Sequence, residues 1–337
     1  MVQIATVVLV LVAVVALAGL GILAYAIVFP RQPYTGPLPP LTRAELALSK
    51  RLRRHVEAVA SRPHNLAHYA ELEAAACHIE RELAAMGLTP HLQQYDVHGR
   101  PVRNIEVTLE PAPTFAREPT ATLVVGAHYD APDDSPGAND NGTGVAALLE
   151  LARLLGGSDA RERRCRLRLV FFVNEEAPYG KTELMGSLVH ARSLSERGER
   201  VDGMIALETL GHFSNEPGSQ RFPFPFGLVY SDVGNFVAFV GLPRARGFVR
   251  KALRAFRAET AFPSIGGVAP GSLEGIDLSD HWAYDQCGYP AMMITDTAPF
   301  RNPFYHTRAD LPATVDYASL ARITLGLSHM LQRLDRE

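Results

Sequence analysis

The chain predicts an α/β fold: a three-layer domain whose central twisted sheet, mainly parallel or mixed, is covered by helices on both faces. Three observations support this. Apolar runs at 121–128, 167–174, 203–208 and 290–295 have the length of buried strands. Helical periodicity returns between them, near 143–155, 183–196, 244–260 and 315–334. The first three runs also end on polar residues capable of chemistry, which is how an open sheet gathers a site at one edge.

Residues 2–29 are apolar apart from Gln3 and a few small or aromatic residues, and Pro30 ends the run. At ~1.5 Å per residue this is long enough to cross a ~30 Å hydrocarbon core, so residues 1–30 are expected to form a transmembrane anchor. Ala24-Tyr25-Ala26 would suit a cleavage site, but no basic stretch precedes the run and it exceeds the usual signal-peptide core. Residues 31–60 are expected to form a proline-rich spacer, lifting the domain off the bilayer, and a juxtamembrane helix. That helix, over 41–60, carries Leu48, Leu52, Val56 and Val59 at helical spacing. A second helix over 66–86 can end at Gly87, and strands at 91–97 and 102–109 flank the turn His98-Gly-Arg-Pro101. Residues 61–337 are expected to form one catalytic domain. Within it, 226–230 reads as a further strand and 257–278 as a long functional loop.

The 337 residues have a formal charge of −3 and 47% hydrophobic content, enough for one large core and too mild in charge for a nucleic-acid groove. Only Lys50, Lys181 and Lys251 interrupt an otherwise all-arginine basic set, a trait of composition rather than a binding surface. Cys77, Cys165 and Cys287 show neither a disulfide framework nor C-x-x-C spacing. Dinucleotide, P-loop and H-E-x-x-H motifs are absent. Gly-x-Ser-x-Gly is absent too, and Ser279-Asp280-His281 are consecutive, which forbids triad geometry.

His128, Asp130, Asp140, Glu175, Glu176, Glu208 and His306 are the residues that carry chemistry, most of them at or just beyond a strand-like run. Imidazole and carboxylate without thiolate suit Zn²⁺ or a similar divalent ion, and the number of donors points to a two-metal hydrolase. Asp130, grouped with Glu175 as catalytic, lies two residues after His128, so its carboxylate is expected to hold the second imidazole nitrogen. Glu175 and Glu176 are neighbours and cannot both face one metal from a regular strand.

Six segments in order resemble peptidase family M28, the zinc-dependent aminopeptidases and related exopeptidases. They are Gly126-Ala-His128-Tyr-Asp130, Pro136-Gly-Ala-Asn-Asp140-Asn-Gly-Thr-Gly144, Asn174-Glu175-Glu176, Glu208, Ser279-Asp280-His281 and Tyr305-His306-Thr307. The resemblance covers residues 60–335 and implies a zinc-exopeptidase-like fold acting on peptides. It implies two zinc ions: His128 and Glu208 on one, Glu176 and His306 on the other, and Asp140 bridging. It assigns general-base duty to Glu175 and a cis peptide just after Asp140. Asp280 and His281 are expected to support the site, and Tyr179 and Tyr305 to lie in its outer shell or the substrate pocket. Glu208 departs from the aspartate usual there, and residues 177–185 are longer than the usual link, so this segment is expected to wall the pocket.

Aminopeptidase action is the expectation, as the commonest activity among such relatives. A carboxypeptidase or dipeptidase would need a cation for the substrate carboxylate, for which Arg221, Arg301 or Arg308 would serve. A glutaminyl-cyclase-like transferase would use one zinc and lack the histidine at 128, and a receptor-like protein would have lost ligands. Arg31, Arg43 and the cluster from Lys50 to Arg54 follow the apolar run and favour a cytoplasmic body. The spacer and the exported character of relatives favour an extracytoplasmic catalytic domain, which is the expectation adopted.

Overall fold

A computed structural model describes residues 2–116, 121–157 and 162–336. Helix α1 (Val2–Ile27) is followed by an irregular stretch and by α2 (Arg43–Val59) and α3 (Tyr69–Ala85). A capping box starts α2: the Glu45 N–H donates to the Thr42 hydroxyl at 3.2 Å, and the Glu45 carboxylate accepts the Thr42 N–H at 2.7 Å. Next come the hairpin β1 (His91–Val97) and β2 (Arg100–Leu109), then β3 (Thr122–His128), α4 (Thr143–Gly156), β4 (Arg166–Phe172), α5 (Gly186–Glu196) and β5 (Gly203–Glu208). The chain continues through β6 (Val237–Gly241), α6 (Arg246–Glu259), β7 (Ser264–Val268), α7 (His281–Gln286), β8 (Ala291–Thr295), the single turn α8 (Ala298–Arg301) and α9 (Tyr317–Arg336).

The eight strands form one mixed sheet in the order β1-β2-β4-β3-β5-β8-β6-β7. Its centre, β4-β3-β5-β8, is parallel, while β1, β2 and β6 pair antiparallel to their neighbours on the central side. Residues alternate between the faces as the pleat requires. Val125, Ala127, Leu169, Phe171, Ile205 and Leu207 face α2, α4, α6 and α9, whereas Val124, Val170, Phe172, Met204 and Ala206 face α5 and α7.

Three expectations are corrected. Residues 226–230 form no strand: Pro223, Pro225 and Gly227 remove donors and regularity, and the strand falls at β6 instead. The stretch 257–278 is not a continuous loop, since β7 runs through its middle and its two adjacent glycines hid the apolar alternation. The proline-rich stretch does not stand off as a spacer. Arg257 donates to the Pro30 carbonyl at 3.1 Å and Arg322 reaches the Pro39 carbonyl, so the segment lies along the domain.

Across β2, the Glu106 carboxylate meets His190 at 2.9 Å, the Thr108 hydroxyl at 2.6 Å and the Arg168 guanidinium. Burial alone would raise its pKa, but His190 and Arg168 hold it well below the ordinary carboxylate range. A depressed folded-state pKa contributes stability that is present above the unfolded value of ~4.3 and lost as pH falls. The urea midpoint of the wild-type chain should therefore drop more steeply from pH ~5 to ~3 than that of Glu106→Gln. Parallel curves for the two proteins would remove Glu106 from the pH dependence.

Candidate metal centre

The parallel centre of the sheet delivers the candidate donors to one edge. His128 is the last residue of β3 and Glu208 the last of β5, while Glu175 and Glu176 follow β4 after Asn174, which turns the chain with a φ of 61°. Asp140 lies in the tight turn before α4. Its peptide bond to Asn141 is cis, as the resemblance implied, and Gly137 enters the turn at a φ of 68°, open mainly to glycine. His306 comes from the loop between α8 and α9.

These side chains converge. His128 Nε2 is 3.4 Å from Asp140 Oδ1, 3.3 Å from Glu208 Oε2 and 3.8 Å from Glu175 Oε2. His306 Nε2 lies 3.0 Å from Asp140 Oδ2 and 3.5 Å from Glu176 Oε1. Three three-residue groups result, each with donor atoms within 4.8 Å of one another: His128-Asp140-Glu208 and Asp140-Glu176-His306, which share Asp140, and His128-Glu175-Glu176. The longer Glu208 side chain thus still reaches the first group, and its Oε2 accepts from the Ser279 hydroxyl at 2.8 Å.

Electrostatics favour a cation here. The ion-pair partners of Asp140, Glu175, Glu176 and Glu208 are the two imidazoles, and Asp140, Glu176 and Glu208 are buried. Burial first, and then neighbouring carboxylates, push Glu175 and Glu176 well above the ordinary carboxylate range. Asp140 is held low in spite of burial because His128 and His306 face it. His128 Nε2 and Asp140 Oδ1 are buried and have no hydrogen-bond partner among the described residues, while the His128 Nδ1–H donates to the Asp130 carbonyl at 3.0 Å. That tautomer leaves the Nε2 lone pair directed at the carboxylates, so the donor set fits divalent metal.

The structure corrects the role of Asp130. Its carboxylate stays 3.7 Å from the imidazole and instead accepts the backbone N–H groups of Glu175 and Glu176, each at 3.1 Å. It positions the acidic pair rather than the histidine, because the chain bends after β3 and presents the carbonyl to the ring. His281 donates from Nε2 to the Ile276 carbonyl at 2.7 Å, and burial lowers its pKa to about 4, so it braces the 276–281 loop rather than a donor. Asp280 is fully buried, and burial raises its pKa to about 7. Tyr305 stacks on His306 at 3.9 Å between ring centres, and Tyr179 lies against His98 at 6.1 Å. Residues 177–185 do wall the cleft: Ala177, Pro178, Gly180 and Lys181 line it, and Lys181 pairs with Asp277 across it at 2.9 Å.

Sequence reasoning passed over three further supports. Asp310 accepts the backbone N–H groups of Asn139 and Asp140 at 2.9 and 3.1 Å, which aims the shared carboxylate. Asp296 accepts from the Asn139 amide at 3.0 Å and the His212 N–H at 2.8 Å. Asn141 ties the turn to the Leu207 carbonyl at 2.8 Å. Asp296 was within reach of sequence reasoning, since it follows β8 as Glu175 and Glu176 follow β4.

A sheet edge with two imidazole–carboxylate groups sharing one aspartate defines a two-metal hydrolase. The family model of peptidase family M28 matches residues 104–331, and the chain belongs to that family. It is a zinc-dependent peptidase whose site takes two zinc ions. The uncharacterized protein YfbL of Escherichia coli (strain K12) is 34% identical over 311 residues, covering 89% of this chain and 92% of its own length. A probable leucine aminopeptidase of Arthroderma otae is 24% identical over 61% of this chain, which spans about half (52%) of that protein. Among solved structures, BSAP, a zinc aminopeptidase from Bacillus subtilis, superimposes with a TM-score of 0.66 at 14% identity, covering 88% of this chain and 96% of that one. Solved glutaminyl cyclases share the fold as well.

Proposed function

We propose that the chain is an aminopeptidase that removes N-terminal residues with large apolar side chains. The observation that carries this reading is the apolar hollow that begins at Glu208 and Tyr305, beside the metal centre, and is walled by Phe222, Phe226, Ile276, Met293 and Phe300. In this reading His128, Glu208 and Asp140 would hold one zinc, and Glu176, His306 and Asp140 would hold the other. Zinc held there would supply Lewis-acid polarisation of the scissile carbonyl and a lowered pKa for water.

Glu175 takes the proton of the attacking water and delivers it to the leaving amine nitrogen, so one carboxylate serves both transfers. Asp130 holds it in place through the two N–H groups that its carboxylate accepts. Glu208 and Glu175 offer acceptors for the free α-amino group of the substrate, while the first side chain enters the hollow. The carboxypeptidase alternative has less support: Arg301 is buried and bonds Gln220 at 2.6 Å and the Phe236 carbonyl at 2.9 Å, and Arg308 pairs with Asp134, which leaves that role to exposed Arg221.

The test is a peptide panel on the zinc-loaded full chain. Leu and Phe at the N-terminus should exceed Ala roughly tenfold or more in kcat/KM, N-acetylation should abolish cleavage, and C-terminal amidation should leave it unchanged. Cleavage blocked by amidation but not by acetylation would replace this reading with the carboxypeptidase one.

A further inference from the structure

Helix α1 contains a 22-residue stretch, Thr6–Ile27, with a mean hydropathy of 3.1, long and apolar enough to span a membrane or serve as a signal sequence. Most of its side chains project away from the domain, but its last turns do not. Leu23, Ala26 and Ile27 pack against a small cluster formed by Phe226, Ala269 and Ile276, and Phe29 lies against β7 at Gly266. Arginines from α6 then grip the carbonyls that the helix end leaves unpaired. Arg246 donates to the Tyr25 carbonyl at 2.7 Å, and Arg250 donates to that of Val28 at 3.2 Å. The helix therefore leaves the domain at a fixed place, next to the apolar hollow.

Phe222 and Tyr230 pack on the same cluster and bound a segment, Phe222-Pro-Phe-Pro-Phe-Gly-Leu-Val-Tyr230, that contains no charge. Its inward side chains wall the hollow, whereas Phe224 and Leu228 are 79% and 74% exposed. Two large apolar side chains held out from a proline-stiffened loop mark an interaction surface. The neighbouring element indicates the occupant, because the apolar surface of α1 continues through the shared cluster into this loop. Arg246 and Arg250, at the helix end, suit the headgroup level of a bilayer with anionic lipid.

We propose that the 222–230 loop is a second membrane contact, with Phe224 and Leu228 entering the bilayer that receives α1, so that the apolar hollow takes peptides presented from the membrane surface. The substrate part rests on the aminopeptidase reading; the membrane contact does not. The test uses the zinc-loaded full chain in nanodiscs of phosphatidylcholine and phosphatidylglycerol, with and without acyl-chain bromination. Phe224→Trp and Leu228→Trp are compared with Phe115→Trp, a control near the start of β4 and far from β7 in the strand order, with the signal of Trp282 subtracted.

Bromolipid should quench the added tryptophan at 224 and 228 and leave that at 115 unquenched. Quenching no greater than at 115 overturns the contact. A blue-shifted, concentration-dependent emission without quenching also overturns it and assigns the patch to a second copy of the chain. In the activity arm, the Phe224→Ser/Leu228→Ser double variant should lose about tenfold in kcat/KM on a lipid-tethered peptide with a free apolar N-terminus. It should cut a soluble leucine amide at the wild-type rate. Equal effects on both substrates overturn surface presentation, and cleavage of neither by the wild-type chain defeats the aminopeptidase reading while quenching still decides the contact.

Discussion

Glu175→Gln should lower kcat by about 10²–10⁴-fold while both zinc ions stay bound, because it removes a proton acceptor without changing shape. The residue lines the cleft, its Oε2 sits 3.8 Å from His128 Nε2, and it groups with His128 and Glu176 but in neither of the two groups that share Asp140. Its backbone N–H would still donate to Asp130 in the variant, so the loop should hold its place. Metal analysis and single-turnover rates on the same preparation check the prediction. Near-normal turnover with full metal content would remove Glu175 from the chemistry, and loss of zinc would make it a ligand.

Asp140→Asn should have the largest structural effect, since the two oxygens of this one carboxylate face His128 and His306 separately. A neutral amide offers one weaker donor atom, and its N–H₂ group would point at an imidazole or a metal. Zinc content should fall at both positions. A bound ligand at a thousand times its Kd stabilises by about 4.1 kcal/mol. For a domain of this size, losing one ion at that saturation should lower Tm by roughly 10 °C. Glu176→Gln, whose Oε1 faces His306 at 3.5 Å and which is not shared as Asp140 is, should lose one ion rather than two. Equal zinc loss in the two variants would contradict the shared role of Asp140.

The outline of the fold was legible because buried parallel strands are short apolar runs and the helices between them keep their own period. That logic held for β3, β4, β5 and β8, and for the four helices expected among them. It failed at β7, where Gly266 and Gly267 supply no side chain to the pattern, and at 226–230, where apolar residues between prolines imitate a strand. The proline-rich stretch misled for a related reason. Composition describes an extended chain, but whether it stands free depends on Arg257 and Arg322, which are hundreds of residues away.

The candidate donors could be picked out one by one, as polar residues that terminate apolar runs or stand in ordered motifs. Their residue types alone were enough to call for a divalent metal and a hydrolase. Their partition came from the family resemblance and not from any local pattern. That Asp140 faces both histidines, that the Asp130 carboxylate serves the Glu175–Glu176 backbone, and that Asp310 aims Asp140 from 170 residues downstream all depend on long-range placement. The apolar hollow belongs to the same category, since Phe222, Ile276, Met293 and Phe300 come from separate segments that converge only on folding. Local pattern records which face of an element is buried and where it ends. Hydrogen bonds and cavities between distant segments are properties of the closed chain, and no local period encodes them.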